Sequence, residues 1–315
     1  MRTRVLAAFL AFQASAGATS AATLRVPSEY ATINAALDAS AAGDTVLVAP
    51  GTYSDAETRT VPFGQGTLTD TAIAFLRDGV VLRSEGGAAV TILDYAAVQN
   101  NTGGGIAVVG AGLVSGDCSV EGFSIIGDSA SLAWAIRLGS QCRDFMVREC
   151  DIDGFDARPF SGAGVWHDGL EGTLRVESCV FRNCVGSGGG AVEVINLDLE
   201  IVDTYFEANR SIGGGGAIRA DSDTGDFAVH HVWLERCTFV GNDGGFGGGA
   251  FGHGARAGYN EFRFVDCVEV PRNRGHILGY DLHPRRSPWQ GSGIRRSSGM
   301  RRSGRSRSAA TRLLM

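Results

Sequence analysis

Hydrophobic and polar residues alternate along most of this chain with the two-residue period of strands that bury one face. Leu174 and Val176 alternate with Arg175 and Glu177, and residues 262–265 repeat the pattern. Short polar and glycine-rich stretches separate these segments, and no long amphipathic helical pattern lies between them. The pattern therefore predicts an all-β fold and disfavours an alternating βαβ arrangement.

A four-residue phrase recurs in these strands at intervals of about 25–33 residues, a spacing typical of solenoids. Three of its copies lead into a glycine cluster that ends in alanine, at residues 188–191, 214–217 and 247–250. The copies are Glu149-Cys150-Asp151-Ile152, Ser178-Cys179-Val180-Phe181, Asp203-Thr204-Tyr205-Phe206, Arg236-Cys237-Thr238-Phe239 and Asp266-Cys267-Val268-Glu269.

Aligning the copies places similar side chains in columns, as expected when each strand lies about 4.8 Å above its copy in the previous turn. We therefore predict a parallel coil whose columns point inward. The three columns are Val147, Val176, Ile201, Leu234 and Phe264; Cys150, Cys179, Thr204, Cys237 and Cys267; and Ile152, Phe181, Phe206 and Phe239. Asn183, Asn209 and Asn242 follow the core aromatic positions, and we expect them to adopt left-handed turn conformations.

Residues 1–22 have the features of a secretory signal peptide. Arg2 and Arg4 form a basic start, residues 5–12 an apolar stretch, and residues 18–22 a cleavage zone of small residues. The apolar stretch is too short to cross a bilayer as a helix, and no other segment is apolar enough. We therefore expect a secreted or cell-surface protein without a transmembrane segment.

Residues 23–275 are predicted to form one continuous domain. At its start, Ser28 is expected to cap a short helix in which Ile33, Ala36 and Leu37 form one apolar face. Such a helix would close the N-terminal end of the solenoid, because a solenoid needs capping elements at its ends.

Charge is distributed unevenly along the chain. The formal net charge is −6, yet the segment from Arg272 onward carries +10 and residues 1–271 carry −16. Residues 276–315 are rich in Arg, Ser and Gly, a composition that predicts disorder. A tail read out of frame, or a truncated repeat array, is the preferred interpretation, and a basic arm for anionic partners is the alternative. No nucleic-acid partner is expected.

The seven cysteines allow two interpretations. Four occupy the inward column, where cysteine acts as a small buried hydrophobe, so stacked free thiols are favoured. Disulfides remain the alternative, because export permits them and neighbouring coils would bring Cys150 near Cys179. No Cys-x-x-Cys pair is present, and the spacing equals the repeat period, which argues against a metal site.

Several segments of the chain are typical of one known superfamily. They are residues 30–37, 43–46, 50–53, 84–87, 91–94, 206–209, 214–218, 239–242 and 248–250. On the first five, the chain resembles secreted bacterial right-handed parallel β-helix proteins of the pectin-lyase-like superfamily, and on the others it resembles the repeats of polymorphic outer-membrane proteins. The resemblance covers about residues 24–270 and implies a right-handed parallel β-helix, a fold that hosts many functions.

The resemblance does not imply a complete catalytic set. Lysine is absent, which excludes lyases that need a Lys–Arg pair. Gly252-His253-Gly254 matches a tripeptide of pectin-type hydrolases, but their Asn-Thr-Asp and Asp-Asp motifs are missing, so we interpret it as a chance match. Residues 51–55 are similar to the first motif of pectin methylesterases, but the remaining motifs of those enzymes are missing from this chain. No catalytic residue is predicted.

One polar cluster is a candidate ligand site, because carboxylates near a histidine and an aromatic ring suit calcium, a sugar or acid–base chemistry. The alternative is that these residues form the solvated outer face of a coil. No cofactor is required, although calcium is left open. The cluster consists of Asp151, Asp153, Asp156, Trp166, His167 and Asp168.

The leading hypothesis is a secreted or surface-displayed, non-catalytic and monomeric β-helix that acts as an adhesin-like or glycan-contacting scaffold. The rival hypothesis is a polysaccharide lyase or glycoside hydrolase that acts on an extracellular polysaccharide. A third interpretation is a fragment of a longer surface protein.

Overall fold

The computed structural model describes residues 20–63, 66–98, 105–110, 118–222, 230–255, 260–270, 274–280 and 295–296. Almost all of the predicted signal peptide and most of the predicted tail lie outside these residues. No helix in these ranges is long and apolar enough to cross a membrane.

Three parallel sheets wind around one core in the described part of the chain, which confirms the predicted parallel β-helix. Sheet I consists of Thr23–Val26, Thr45–Val48, Val81–Ser84, Cys118–Glu121, Phe145–Arg148, Thr173–Glu177, Asp198–Val202, His230–Glu235 and Asn260–Val265. Sheet II consists of Gly51–Tyr53, Thr91–Asp94, Ser124–Ile126, Asp151–Asp153, Val180–Arg182, Tyr205–Glu207, Thr238–Val240, Val268–Val270 and Arg295–Arg296.

Sheet III has ten strands in the described part of the chain. Its strands are Ala74–Phe75, Gly105–Gly110, Ala133–Leu138, Val165–Asp168, Val192–Ile195, Ile218–Ser222, Asp243–Ala255, Arg274–Tyr280, Arg210–Ser211 and Val185–Gly186. Beside this sheet lies an antiparallel hairpin formed by Glu57–Phe63 and Gly66–Ala72.

The predicted inward columns are confirmed by the strand register. In sheet I, Val147 lies beside Val176, which lies beside Ile201 in the next coil. In sheet II, the Phe206 ring stacks between those of Phe181 and Phe239, at centroid distances of 5.2 and 5.1 Å. These side chains are almost fully buried, so the columns form the core.

The cysteine column is buried as well, and all seven cysteines are free thiols. Within the column, the Cys150 backbone N–H points to the Cys179 sulfur at 3.5 Å, and the Cys179 N–H points to the Thr204 hydroxyl at 3.4 Å. Burial raises the pKa of Cys179, so the thiol stays protonated. Threonine fits this column because its hydroxyl takes the place of the sulfur.

In five coils, one left-handed residue other than glycine bends the chain between a sheet I strand and the following sheet II strand. The φ angles lie between 48° and 53° at Glu149, Ser178, Asp203, Arg236 and Asp266. Each of these residues directly precedes a member of the Cys/Thr column. This left-handed residue is not a glycine, and it is the first residue of every copy of the repeated phrase.

The prediction for the asparagines was wrong at two of three positions. Asn183 has a φ of 52°, but Asn209 and Asn242 are fully buried and do not have positive φ. The Asn209 amide donates to the Phe181 carbonyl and to the Asn242 side-chain oxygen, both at 3.0 Å, and accepts from the Cys184 N–H at 3.1 Å. The buried amides satisfy backbone groups that face each other at the corner.

The N-terminal helix is present, but its predicted cap was wrong. It spans Ile33–Ala39, and the Thr32 hydroxyl, not that of Ser28, accepts the Ala35 N–H at 3.1 Å. The predicted apolar face is buried. Asn34 ties the helix to sheet III, since its side-chain oxygen accepts the Phe75 N–H at 2.9 Å.

Pairing extends past the predicted domain end at residue 275, because Arg274–Tyr280 pairs with Asp243–Ala255. Most of the segment 276–315 lies outside the described residues.

The phenylalanine column generates a stability prediction. Replacing Phe206 by alanine removes a ring that is fully buried between two others, so the free energy of unfolding should fall by about 3–5 kcal/mol. The measurement is equilibrium denaturant unfolding. Tyr205→Ala, on the outward side of the same strand, is the matched control and should cost clearly less. Equal losses in the two variants would contradict the assignment of the column to the core.

Candidate ligand-binding face

The outer faces of sheets I and II are occupied by ion-pair ladders. In sheet I, the Glu121 carboxylate accepts from Arg83 and Arg148, both at 2.7 Å. In sheet II, Arg182 lies between Asp151, at 3.0 Å, and Glu207, at 3.4 Å. Opposite charges one strand apart satisfy each other on these faces, which leaves few polar groups directed at a ligand.

The outer face of sheet III is different. Strand register places Arg137, Trp166, Glu193 and Arg219 side by side in successive coils, and we call these four residues the polar row. Neighbours in the row belong to strands about 4.8 Å apart. The row combines an aromatic ring with charges of both signs.

Arg137 is held between two tryptophan rings. Its guanidinium carbon lies 4.7 Å from the Trp166 ring centre and 5.1 Å from that of Trp134, distances at which cation–π attraction is effective. Burial lowers the pKa of Arg137, while the charge of Asp70 on the hairpin acts in the opposite direction. The hairpin thus lies beside the Arg137 end of the polar row.

Trp134 extends the aromatic surface toward the following loop. Its indole N–H donates to the Ser161 hydroxyl at 3.0 Å, and its ring centre lies 6.0 Å from that of Phe160. Phe160 is 55% exposed. An apolar, partly exposed edge therefore flanks the charged groups.

Glu193 is the most unusual group of the row, because its side chain is only 6% exposed. Its carboxyl lies where a side chain of Gly188 would be, since a Cβ there would come within 2.0 Å of Oε1. One carboxyl oxygen, Oε2, is buried without a hydrogen-bond partner among the described residues. The glycine cluster around Gly188 therefore makes room for a carboxyl group, one oxygen of which has no hydrogen-bond partner among the described residues.

The environment of Glu193 shifts its protonation. Burial raises the pKa of Glu193 to about 7, while the charge of Arg219 and the N–H groups of Gly162 and Gly189 act in the opposite direction. Asp221 limits this compensation, because its carboxylate accepts from the Arg219 Nε at 2.6 Å and its charge raises the pKa of Glu193. Glu193 can therefore exchange a proton near neutral pH.

The structure distributes the predicted cluster over two outer faces, one corner and the core. Asp151 and Asp153 lie on the outer face of sheet II, where Asp151 pairs with Arg182 and Asp153 accepts from Asn183 at 2.8 Å. Asp156 lies at a corner, where both of its oxygens pair with the Arg158 guanidinium. These three carboxylates are used in structural pairs.

His167 points into the core, because its neighbours on the strand point outward. It is fully buried, and its Nε2 lies 2.8 Å from the Cys142 carbonyl oxygen. Burial lowers the pKa of His167 to about 4. The neutral ring therefore stabilises the fold above pH 6.5, and this contribution is lost as the pH falls toward 4.

Only Trp166 and Asp168 of the predicted cluster reach the outer face of sheet III. Arg137, Glu193 and Arg219 were not among the predicted site residues. Glu193 and Arg219 each follow the alanine of a glycine cluster by two positions, and that shared offset is the signal that would have found them. The residue at the same offset after Ala250 is Gly252.

His253 of the Gly-His-Gly tripeptide also faces the interior. Its ring centre lies 4.8 Å from that of Phe262, and its Nδ1 lies 2.9 Å from the Ala220 carbonyl oxygen. Its position agrees with the interpretation of this tripeptide as a chance match. Within the described ranges, no group of three or more His, Cys, Asp or Glu side chains is arranged to hold a metal ion.

Fold and face together define a three-sheet parallel β-helix with an aromatic and charged surface on sheet III. No known family matches the chain, and no curated protein does. Among solved structures, the chain is similar to pectin methylesterase from carrot, at 9% identity over 90% of both chains, with a TM-score of 0.48. It is also similar to the A-module of the mannuronan C-5 epimerase AlgE4 from Azotobacter vinelandii, at 14% identity over 83% of this chain and 95% of that one, with a TM-score of 0.31.

The buried carboxyl of Glu193 generates a pH prediction. A carboxyl whose pKa is raised from 4.5 to about 7 in the folded state favours folding when protonated, so its contribution is lost between these pH values. As the pH rises from 4.5 to 7, the free energy of unfolding should fall by about 3 kcal/mol more in wild type than in Glu193→Gln. Denaturant unfolding at several pH values measures this difference.

Glu177→Gln, an exposed position on sheet I, is the control and should follow wild type. Parallel pH curves for wild type and Glu193→Gln would show that Glu193 titrates like a solvated carboxyl.

Proposed function

We propose that this protein is a secreted or surface-displayed β-helix that binds a glycan on the outer face of sheet III. The observation that carries the proposal is the contact of Arg137 with the rings of Trp134 and Trp166, together with the buried carboxyl of Glu193 on the strand next to Trp166. In this proposal the chain acts as a monomer on an extracellular or cell-surface polysaccharide.

Aromatic rings beside a few polar groups suit a sugar ring, which has apolar C–H faces and hydroxyl edges. Rings contribute apolar contact area, while carboxyl and guanidinium groups fix orientation through hydrogen bonds. Trp166 and the exposed Phe160 supply the apolar area, and Glu193 supplies an acceptor. The open length of the solenoid suits a polymer that runs across several coils.

The outer faces of sheets I and II differ from that of sheet III, and this difference supports the proposal. Their outer carboxylates and guanidinium groups are paired with each other, and a ligand there would have to break those pairs. Sheet I also carries an exposed tryptophan, Trp233, which stacks with Arg263 at 4.3 Å. That pair lacks a neighbouring buried carboxyl and provides a matched control.

The binding proposal predicts that Trp166→Ala weakens retention of the full chain in gels that contain its polysaccharide by about tenfold, because the stacking ring is lost. Affinity electrophoresis over a panel of polysaccharides measures this. Trp233→Ala, which removes the corresponding pair on sheet I, should bind like wild type. If the sheet I variant lost retention and Trp166→Ala kept it, sheet III would not be the binding face.

Glu193 favours a second candidate function, an enzyme that acts on the bound polysaccharide. A buried carboxyl with a pKa of about 7 can give or take a proton at neutral pH, as general acid–base catalysis requires.

If the protein is such an enzyme, Glu193→Gln should lower turnover about 100-fold or more with little change in binding. Reducing-end assays and the ultraviolet absorbance of unsaturated products measure turnover. Glu200→Gln, which removes the carboxylate that pairs with Arg175 on sheet I, is the control. Binding without turnover by wild type would exclude the enzyme and leave the scaffold.

A further inference from the structure

The charges of sheet III also restrict the ligand. We infer that the glycan bound there is uncharged or amine-bearing, and that it carries no carboxylate or sulfate groups. This inference rests on the proposed function, and it names the chemical class of the ligand.

The two arginines of the polar row are already engaged. Arg219 donates to Asp221 at 2.6 Å, and its side chain is 23% exposed. Arg137 is enclosed by Trp134 and Trp166 and faces Asp70, whose pKa is raised by burial and lowered by the Thr71 N–H and by Arg137. An anionic sugar would have to compete with these protein groups for each guanidinium.

Carboxyl groups outnumber the arginines on this face. Asp70, Asp168, Glu193 and Asp221 lie on the outer side of sheet III or on the adjoining hairpin, against Arg137 and Arg219. Burial is the main cause of the raised pKa of Glu193, and the charge of Asp221 raises it further. When Glu193 ionises near neutral pH, the face becomes more negative still.

Nearby arginines do not reverse this balance. Arg158 pairs with Asp156, and Arg143 pairs with Glu171. Arg210 is exposed, but it lies in register beside Asp243. Lysine is absent from the chain, and residues 1–271 carry a formal charge of −16. A polyanion would therefore approach a region of net negative charge, in which the described arginines Arg137 and Arg219 already interact with protein groups.

Glu193 instead suits a donor on the ligand. Its Oε2 is buried without a hydrogen-bond partner among the described residues, and burying such an acceptor unsatisfied is unfavourable. A sugar hydroxyl or ammonium group would donate to a carboxylate, whereas a ligand carboxylate would repel it. The adjacent Trp166 ring stacks on an uncharged sugar face or on a cation.

The test is affinity electrophoresis of the full chain at pH 7 in gels that contain a neutral glucan, an amine-bearing glucosamine polymer or polygalacturonate. Trp166→Ala separates binding on sheet III from nonspecific attraction, including that of the arginine-rich segment after Arg272 to polyanions. Trp166→Phe, which keeps a smaller stacking ring, should be retained more strongly than Trp166→Ala and separates loss of stacking from misfolding. Trp233→Ala is the control on sheet I.

We expect about tenfold weaker retention of Trp166→Ala on the neutral or amine-bearing polymer. We expect any polygalacturonate retention to be equal in wild type and Trp166→Ala. Retention that depends on Trp166 and occurs only with polygalacturonate would overturn this inference and leave glycan binding intact. No Trp166-dependent retention on any of the three polymers would overturn the proposed function, and this inference with it.

Discussion

In-register stacking of parallel strands is the constraint on which the rest of this molecule depends. Each inward side chain lies on its own counterpart from the previous coil, as the parallel rings of Phe181, Phe206 and Phe239 show. A shift of one residue would move a whole column from the core to solvent. Because the core tolerates no such shift, the register of the outer faces is determined as well.

The outer faces acquire their chemistry from that register. On sheets I and II, opposite charges meet across neighbouring coils and satisfy each other, so these faces stabilise the coil and offer little to a ligand. On sheet III, the same spacing brings Arg137, Trp166 and Glu193 together from three distant parts of the chain. The glycine corner beside them allows a carboxyl to be buried where a side chain would otherwise lie.

The sequence predicted much of the fold and little of the site. Repetition identified the inward columns, because every copy of the phrase occupies the same environment. It missed the roles of Asn209 and Asn242, since a buried amide that bonds backbone groups and a turn asparagine look alike in sequence. It grouped His167 with Asp168 because they are adjacent, although strand alternation directs them to opposite sides of the sheet.

Taken alone, the sequence determined the parallel coil, its inward columns, its acidic character and the N-terminal helix, because these follow from local periodicity and composition. Only the tertiary structure decided which outward residues become neighbours. That choice depends on the corner that separates sheets II and III, where the number of residues varies among the coils. Residues such as Arg137 and Glu193, 56 positions apart in the chain, meet on one face only once the coils are stacked.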